Sequence, residues 1–403
     1  MSRLPTGDLG LAAVPFSSID ALRAAGARVI DLRSPSEFLD DHVPGAVNVP
    51  LFDDQERALV GLLYKQFSPD TAFQEGREVV ERKVEGLVAA LAAAADWVPR
   101  SADGTPSGDE LRARVRAMTE RGIGHLDVEL TSVPAEPLPE RPVALHCWRG
   151  GLRSRSVLAL VRALGLTRAV GVEGGYRGWR ARVMQDLAAW PGVARVVVLR
   201  GLTGVGKTLV LREIERLRPG TTLDLEALAG HRSSLLGMVG LTPVSQKSFE
   251  SALRERLAAG FTGGLMVVEG ESRKVGDVVI PARVWSAMES GANLWLAADI
   301  PRRVAVLIED YLGRPAALPV LERQLEAVAG RLPARLDLVG MLRRGEVREL
   351  VELLLARYYD PLYGHSERGR GYAAELDASD PTAAAQRVLD WADGTARGPV
   401  TAP

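Results

Sequence analysis

The sequence predicts an α/β protein built as two parallel-sheet units, the second ending in a helical part. Three observations predict it. Short apolar, β-branched runs alternate with helical segments, which is the pattern of parallel sheets. Gly201-Leu202-Thr203-Gly204-Val205-Gly206-Lys207-Thr208 fits G-x-x-x-x-G-K-[ST] and follows the run Arg195–Leu199. The lone cysteine, Cys147, follows the run Val143–His146 and opens a Gly- and Arg-rich turn. At 403 residues the chain is long enough for two cores, and 46% hydrophobic with 25% charged residues is ordinary for a globular protein.

Residues 1–190 read as the first unit. Val29–Arg33 is a strand, Ser34–Phe38 starts a helix with Pro35 in its first turn, and His42–Ala46 is a turn. Strands recur at Val143–His146 and Ala169–Val172. Between them, about 99–142, the Ser/Gly/Pro-rich stretch reads as a long surface insertion, partly helical around Asp109–Arg121. Residues 194–403 read as the second unit. Arg195–Leu199 is a strand, Thr208–Leu217 a helix, and Leu265–Val268 and Asn293–Ala297 are strands. From Pro301 onward the chain reads as mostly helical, including Glu346–Arg357 and a last helix from Pro381 that Asp380 caps.

Composition excludes several classes. One cysteine rules out an intrachain disulfide and a cysteine-rich zinc site, and suits a reducing compartment. Met1–Pro15 has no basic region followed by an apolar run, and the apolar stretch Gly86–Ala95 is about half of a membrane span. The expectation is a cytoplasmic protein with no membrane partner, no structural metal and no tightly bound cofactor; the oligomeric state cannot be read from the sequence. Net charge is −1, but nine arginines stand against Glu173 alone between Arg141 and Arg182. Such a block fits a polyanionic substrate or, more blandly, a solvated helix face.

A thiol at a strand end, in a glycine-rich turn leading to a helix N-terminus, sits where N–H groups and the helix dipole favour negative charge. Cys147 is therefore the candidate nucleophile. Arg149, Gly150, Gly151, Leu152, Arg153 and Ser154 form its candidate anion loop, the two arginines lowering the thiol pKa. In the second unit Gly201, Thr203, Gly204, Val205, Gly206, Lys207 and Thr208 are the candidate phosphate loop, with Thr208 able to ligate Mg²⁺. Glu269 and Glu271 either hold that metal or are surface residues at a strand end. Arg273, His231 and Arg232 are candidates for support of the site; His231 serves either the phosphate or its own loop. His146 reads as a packed core residue. Arg155, Arg162, Arg177, Arg180 and Arg182 are candidate contacts to a nucleic-acid backbone. Trp148 and Trp179 either stack bases or pack under a helix.

These residues carry a resemblance. Asp31, Arg33, Glu37, His42, Pro44, Gly45 and Ala46 resemble the opening of a rhodanese domain. Cys147–Ser154 resembles its active loop, and Val172-Glu173-Gly174-Gly175-Tyr176 its closing strand and turn. A rhodanese domain fused to a P-loop domain is similar to the tRNA 2-selenouridine synthases. Gly61–Gln66, His231–Ser234, Glu269–Arg273 and Tyr359–Tyr363 agree with that family, while residues 99–142 are longer than its pattern and Ser233 stands where a glycine is expected.

The resemblance implies replacement of sulfur by selenium in 2-thiouridine at the tRNA wobble position, with selenophosphate as donor. It also implies an S-geranyl intermediate made from geranyl diphosphate. Cys147 would take selenium as a selenopersulfide, the phosphate loop would hold the diphosphate of the prenyl donor or a nucleotide, with Mg²⁺ as a candidate ion, and the arginines would grip tRNA. Two other readings compete. One is a sulfurtransferase fused to an ATP-dependent small-molecule kinase; the other is a non-catalytic tRNA-binding module whose thiol is incidental.

Overall fold

The computed structural model describes residues 14–101, 104–232, 241–312, 318–332, 336–362 and 370–394. Ser233, Ser234 and Tyr363, named above, lie outside them. The chain divides into two compact units, Met1–Met184 and Gln185–Pro403.

In the first unit six described strands form one sheet: β1 (Val14–Ser17), β2 (Arg28–Asp31), β3 (Val47–Asn48), β4 (Ser132–Pro134), β5 (Val143–His146) and β6 (Ala169–Val172), in the order β3-β2-β5-β6-β1-β4. Every pairing is parallel, with Asp31 opposite His146 and Leu145 opposite Gly171. All four residues of β5 are buried, as expected of a parallel strand covered on both faces. Pro35 stands at the first position of the helix Pro35–Asp40, where its missing N–H costs nothing, and Glu37 reaches back to the Ser34 N–H at 3.3 Å.

The stretch 99–142 is not the surface excursion expected of it. It holds the helices Gly108–Thr119 and Gly122–Glu129 and then β4, which extends the sheet by pairing with β1. Leu126 and Leu130 are buried in the same core as Phe16, Leu145 and Val157. The leucine spacing that fills this core was masked by the prolines and glycines on either side.

In the second unit β7 (Arg195–Arg200), β8 (Thr222–Leu223), β9 (Leu265–Glu269), β12 (Ala292–Ala297) and β13 (Ala374–Asp377) form a parallel sheet ordered β13-β12-β7-β9-β8, while β10 (Lys274–Val275) and β11 (Val278–Val279) form a separate antiparallel pair. The core joins Val197, Leu199, Ile214 and Val267 to Val388 and Leu389 of the helix Pro381–Ala392. Asp380 caps that helix, accepting from the N–H groups of Thr382 and Ala383. A second apolar cluster, around Val304, Leu325, Leu350 and Tyr359, holds the helical part together. There the expected helix Glu346–Arg357 is regular over Val347–Leu354 and then widens into a π turn at Leu355–Tyr359.

Candidate functional site

Cys147 stands directly after β5, at the carboxyl end of the sheet, where open parallel sheets place ligands. The helix Leu152–Ala163 begins five residues later, so the turn Cys147–Gly151 bridges a strand end and a helix N-terminus. The thiol is only 2% exposed. Burial alone would raise its pKa. Arg153, the Ser154 hydroxyl, and the N–H groups of Arg149 and Ser154 together outweigh burial and hold it below the ordinary thiol value. Ser154 Oγ lies 3.3 Å from Sγ and 3.1 Å from the Gly151 carbonyl oxygen, and its single proton turns to the sulfur when the thiolate forms. Arg149 acts on the thiol through its backbone N–H, and its side chain is exposed.

Residues far apart in sequence hold this turn. The Tyr176 N–H donates to the Cys147 carbonyl at 3.0 Å, and the Arg177 N–H to the Trp148 carbonyl at 2.9 Å. Gly175 makes the approach possible: its φ is +56°, and a Cβ there would lie 2.5 Å from the Cys147 carbonyl oxygen. The Tyr176 ring lies 3.5 Å from the Arg33 guanidinium carbon, and its hydroxyl donates to Asp41 at 2.7 Å. Arg33 is buried and paired with Asp31 through Nε at 3.0 and 3.1 Å and Nη2 at 2.6 Å; Nη2 also donates to the Asp41 carbonyl at 2.7 Å. The segment 31–46 is thus a brace for the thiol loop. His146 is fully buried and desolvation lowers its pKa, as suits a neutral core residue.

The arginine block divides. Arg155 donates to the Leu130 carbonyl at 2.7 Å and pairs with Asp127, and Arg162 donates to the carbonyls of Ala169, at 2.9 Å, and Thr167. These two brace the unit's own main chain. Arg180 lies 3.5 Å from Asp41 and Arg182 3.2 Å from Asp20. Arg177, like Arg149, is exposed. Trp179 is completely buried and cannot stack a base, whereas Trp148 is half-buried with its ring 5.4 Å from that of Tyr176.

In the second unit Gly201–Gly206 connects β7 to the helix Lys207–Leu217, and Lys207 Nζ donates to the Gly201 carbonyl at 3.1 Å. Glu269 ends the neighbouring β9. Its carboxylate is fully buried and both oxygens lack a partner. Burial, with Glu226, Asp224 and Glu271 adding like charge, pushes its pKa well above the ordinary carboxylate range; Lys207 opposes this. Carboxylate oxygens of Glu226, Glu269 and Glu271 lie within 4.8 Å of one another, and Thr208 Oγ1 lies 3.4 Å from Glu226 Oε2. An orphaned buried carboxylate among others fits an oxygen-seeking divalent cation. Glu226 was missed as a ligand in the sequence. Its signal was the acidic turn Asp224–Glu226, directly after β8, which neighbours β9.

His231 donates its N–H to the Glu226 carbonyl at 3.1 Å, and its ring lies against Gly276, on the turn between β10 and β11. Burial lowers its pKa, so it stays neutral at pH 7. Arg232 lies 3.6 Å from Asp310, and the Arg273 side chain is exposed.

Comparison with known proteins fits this geometry. A family model described as the tRNA 2-selenouridine synthase AAA domain matches residues 194–337, and a rhodanese-like domain model matches residues 18–80. The tRNA 2-selenouridine synthase of Cupriavidus necator is 31% identical over 376 residues, 86% of this chain and 90% of that protein. Those of Cupriavidus pinatubonensis and Bordetella bronchiseptica are each 30% identical, over 91% and 94% of this chain and 94% and 97% of their own lengths.

Proposed function

The chain belongs to the tRNA 2-selenouridine synthase family, and from that premise we propose how its two sites divide the reaction. It is a transferase acting on tRNA, exchanging sulfur for selenium at a 2-thiouridine. One observation carries the division of labour: the lone thiol stands in the first unit, and the phosphate loop with its carboxylates stands in the second.

The first step is prenylation of the wobble 2-thiouridine by geranyl diphosphate. The uridine sulfur attacks C1 of the geranyl group, the C–O bond breaks, and pyrophosphate departs. N–H groups of Gly201–Gly206, with Lys207, receive that anion. Magnesium fits beside it on Thr208, Glu226, Glu269 and Glu271, and when bound would neutralise the diphosphate. Alkylation converts the sulfur into a thiolate leaving group, which departs far more readily than sulfide.

The second step belongs to Cys147. Its thiolate, stabilised by Arg153, Ser154 and the loop N–H groups, attacks the phosphorus of selenophosphate and expels selenide. Selenide displaces geranylthiolate from C2 of the alkylated uridine, and water then frees the thiol as phosphate departs, the same cradle suiting the phosphate. Exposed Arg149 and Arg177, with Arg180 and Arg182 close to Arg177 in sequence, are the contacts we propose for the tRNA backbone; Arg155 and Arg162 are committed to the fold.

Lys207→Ala separates the steps. It should slow prenyl transfer from geranyl diphosphate by about 100-fold or more and leave tRNA affinity unchanged. Undiminished prenyl transfer, or a requirement for ATP in its place, would contradict the assignment.

A further inference from the structure

Asp360 of the segment Tyr359–Leu362 has no part in either site described above, yet the structure ties it to the phosphate loop. Arg303, on the helix Ile300–Leu312, is 3% exposed. Its Nε donates to the Thr203 carbonyl at 2.8 Å, and Nη1 and Nη2 reach Asp360 Oδ2 and Oδ1 at 3.1 and 2.5 Å. A buried guanidinium is tolerated only when fully paired, and the fork-to-fork contact with Asp360 supplies that pairing.

The contact with Thr203 has a geometric consequence. The Thr203 carbonyl and the Gly204 N–H belong to one planar trans peptide and point in opposite directions. Fixing the carbonyl on Arg303 therefore fixes the Gly204 N–H on the other side of the loop. Gly204 itself has φ +80°, and a Cβ there would lie 2.8 Å from the Arg303 carbonyl oxygen and 3.0 Å from Leu307. The helix Ile300–Leu312 thus lies flat on the loop, where only glycine fits. On the other side of the pair, Asp360 directly follows the π turn Leu355–Tyr359, the kind of helix irregularity frequent at functional sites.

We infer that Arg303 and Asp360 are positioning residues for the phosphate loop, holding the Thr203–Gly204 peptide so that its N–H is directed at the bound diphosphate. This rests on the reading of Gly201–Thr208 as a diphosphate site. Neither residue touches the ligand; Arg303 acts through the peptide and Asp360 through Arg303.

The test is calorimetric titration of the full chain with magnesium pyrophosphate, alongside thermal midpoints and the rate of Cys147 alkylation. Asp360→Asn keeps the side-chain shape and removes the charge; Arg303→Lys cannot bridge both partners. Each should weaken pyrophosphate binding by about tenfold or more, with Cys147 alkylation at the native rate, and Asp360→Glu should recover most of the affinity. If Arg303→Lys does not fold, the isosteric Asp360→Asn and its Asp360→Glu rescue still decide. A lowered thermal midpoint with native affinity would overturn the inference in favour of a purely structural pair. Lys207→Ala is the reference: if it also binds pyrophosphate normally, the diphosphate reading fails and the inference with it. If only Lys207→Ala loses binding, the loop reading stands and the positioning role is overturned.

Discussion

The acidity of one thiol depends on named neighbours, and two of them can be removed singly. Burial raises the Cys147 pKa, and Arg153, Ser154 and the Arg149 N–H together more than offset it. Arg153→Ala should therefore move the midpoint of iodoacetamide alkylation against pH upward, towards 9.0, the ordinary thiol value, and slow alkylation at pH 7 correspondingly. An unmoved midpoint would show that the Ser154 hydroxyl and the backbone N–H groups set the acidity without Arg153. The thiol was legible in the sequence because strand, glycine turn and helix occur in unbroken succession around it. The contribution of each arginine was not, since both stand in the same turn of sequence, whereas in the structure Arg153 acts by its charge and Arg149 by its backbone N–H. Glu226 went unrecognised for a related reason. It meets Glu269 only because β8 pairs with β9, and no local pattern announces strand neighbours.

Elements with strong apolar runs, such as Val143–His146 and Arg195–Leu199, were readable because burial on both faces demands continuous hydrophobicity. Others were hidden. β1 contains Pro15, and β4 is three residues long and ends in Pro134. Edge strands tolerate proline, so the residues that define β4 are those that argued against any strand there. Its pairing makes the stretch 99–142 part of the core. Leu130→Ala, at a fully buried position, should accordingly destabilise the protein by about 2–5 kcal/mol, read as a lowered denaturant midpoint. A change within about 0.5 kcal/mol would return the stretch to the status of a dispensable surface insertion.

At the scale of the molecule, a rhodanese-like parallel sheet precedes a P-loop sheet with a helical C-terminal part. No described helix is long and apolar enough to cross a membrane. The order of the two units was legible because each carries a motif whose spacing is set by backbone chemistry: the thiol turn in one, the phosphate loop in the other. What the sequence concealed was the bracing of both loops from a distance, by Arg33 and Tyr176 beneath Cys147 and by Arg303 and Asp360 beside Thr203, because a salt bridge between remote residues leaves no periodic trace. In the proposed function the two loops serve two successive chemical steps on one tRNA. The most direct test is mass spectrometry of nucleosides from 2-thiouridine tRNA incubated with the full chain, geranyl diphosphate and selenophosphate, beside Cys147→Ser. The account predicts 2-selenouridine with the native protein and arrest at S-geranyl-2-thiouridine with the variant. Equal 2-selenouridine from both proteins, or unaltered 2-thiouridine with the native one, would contradict it.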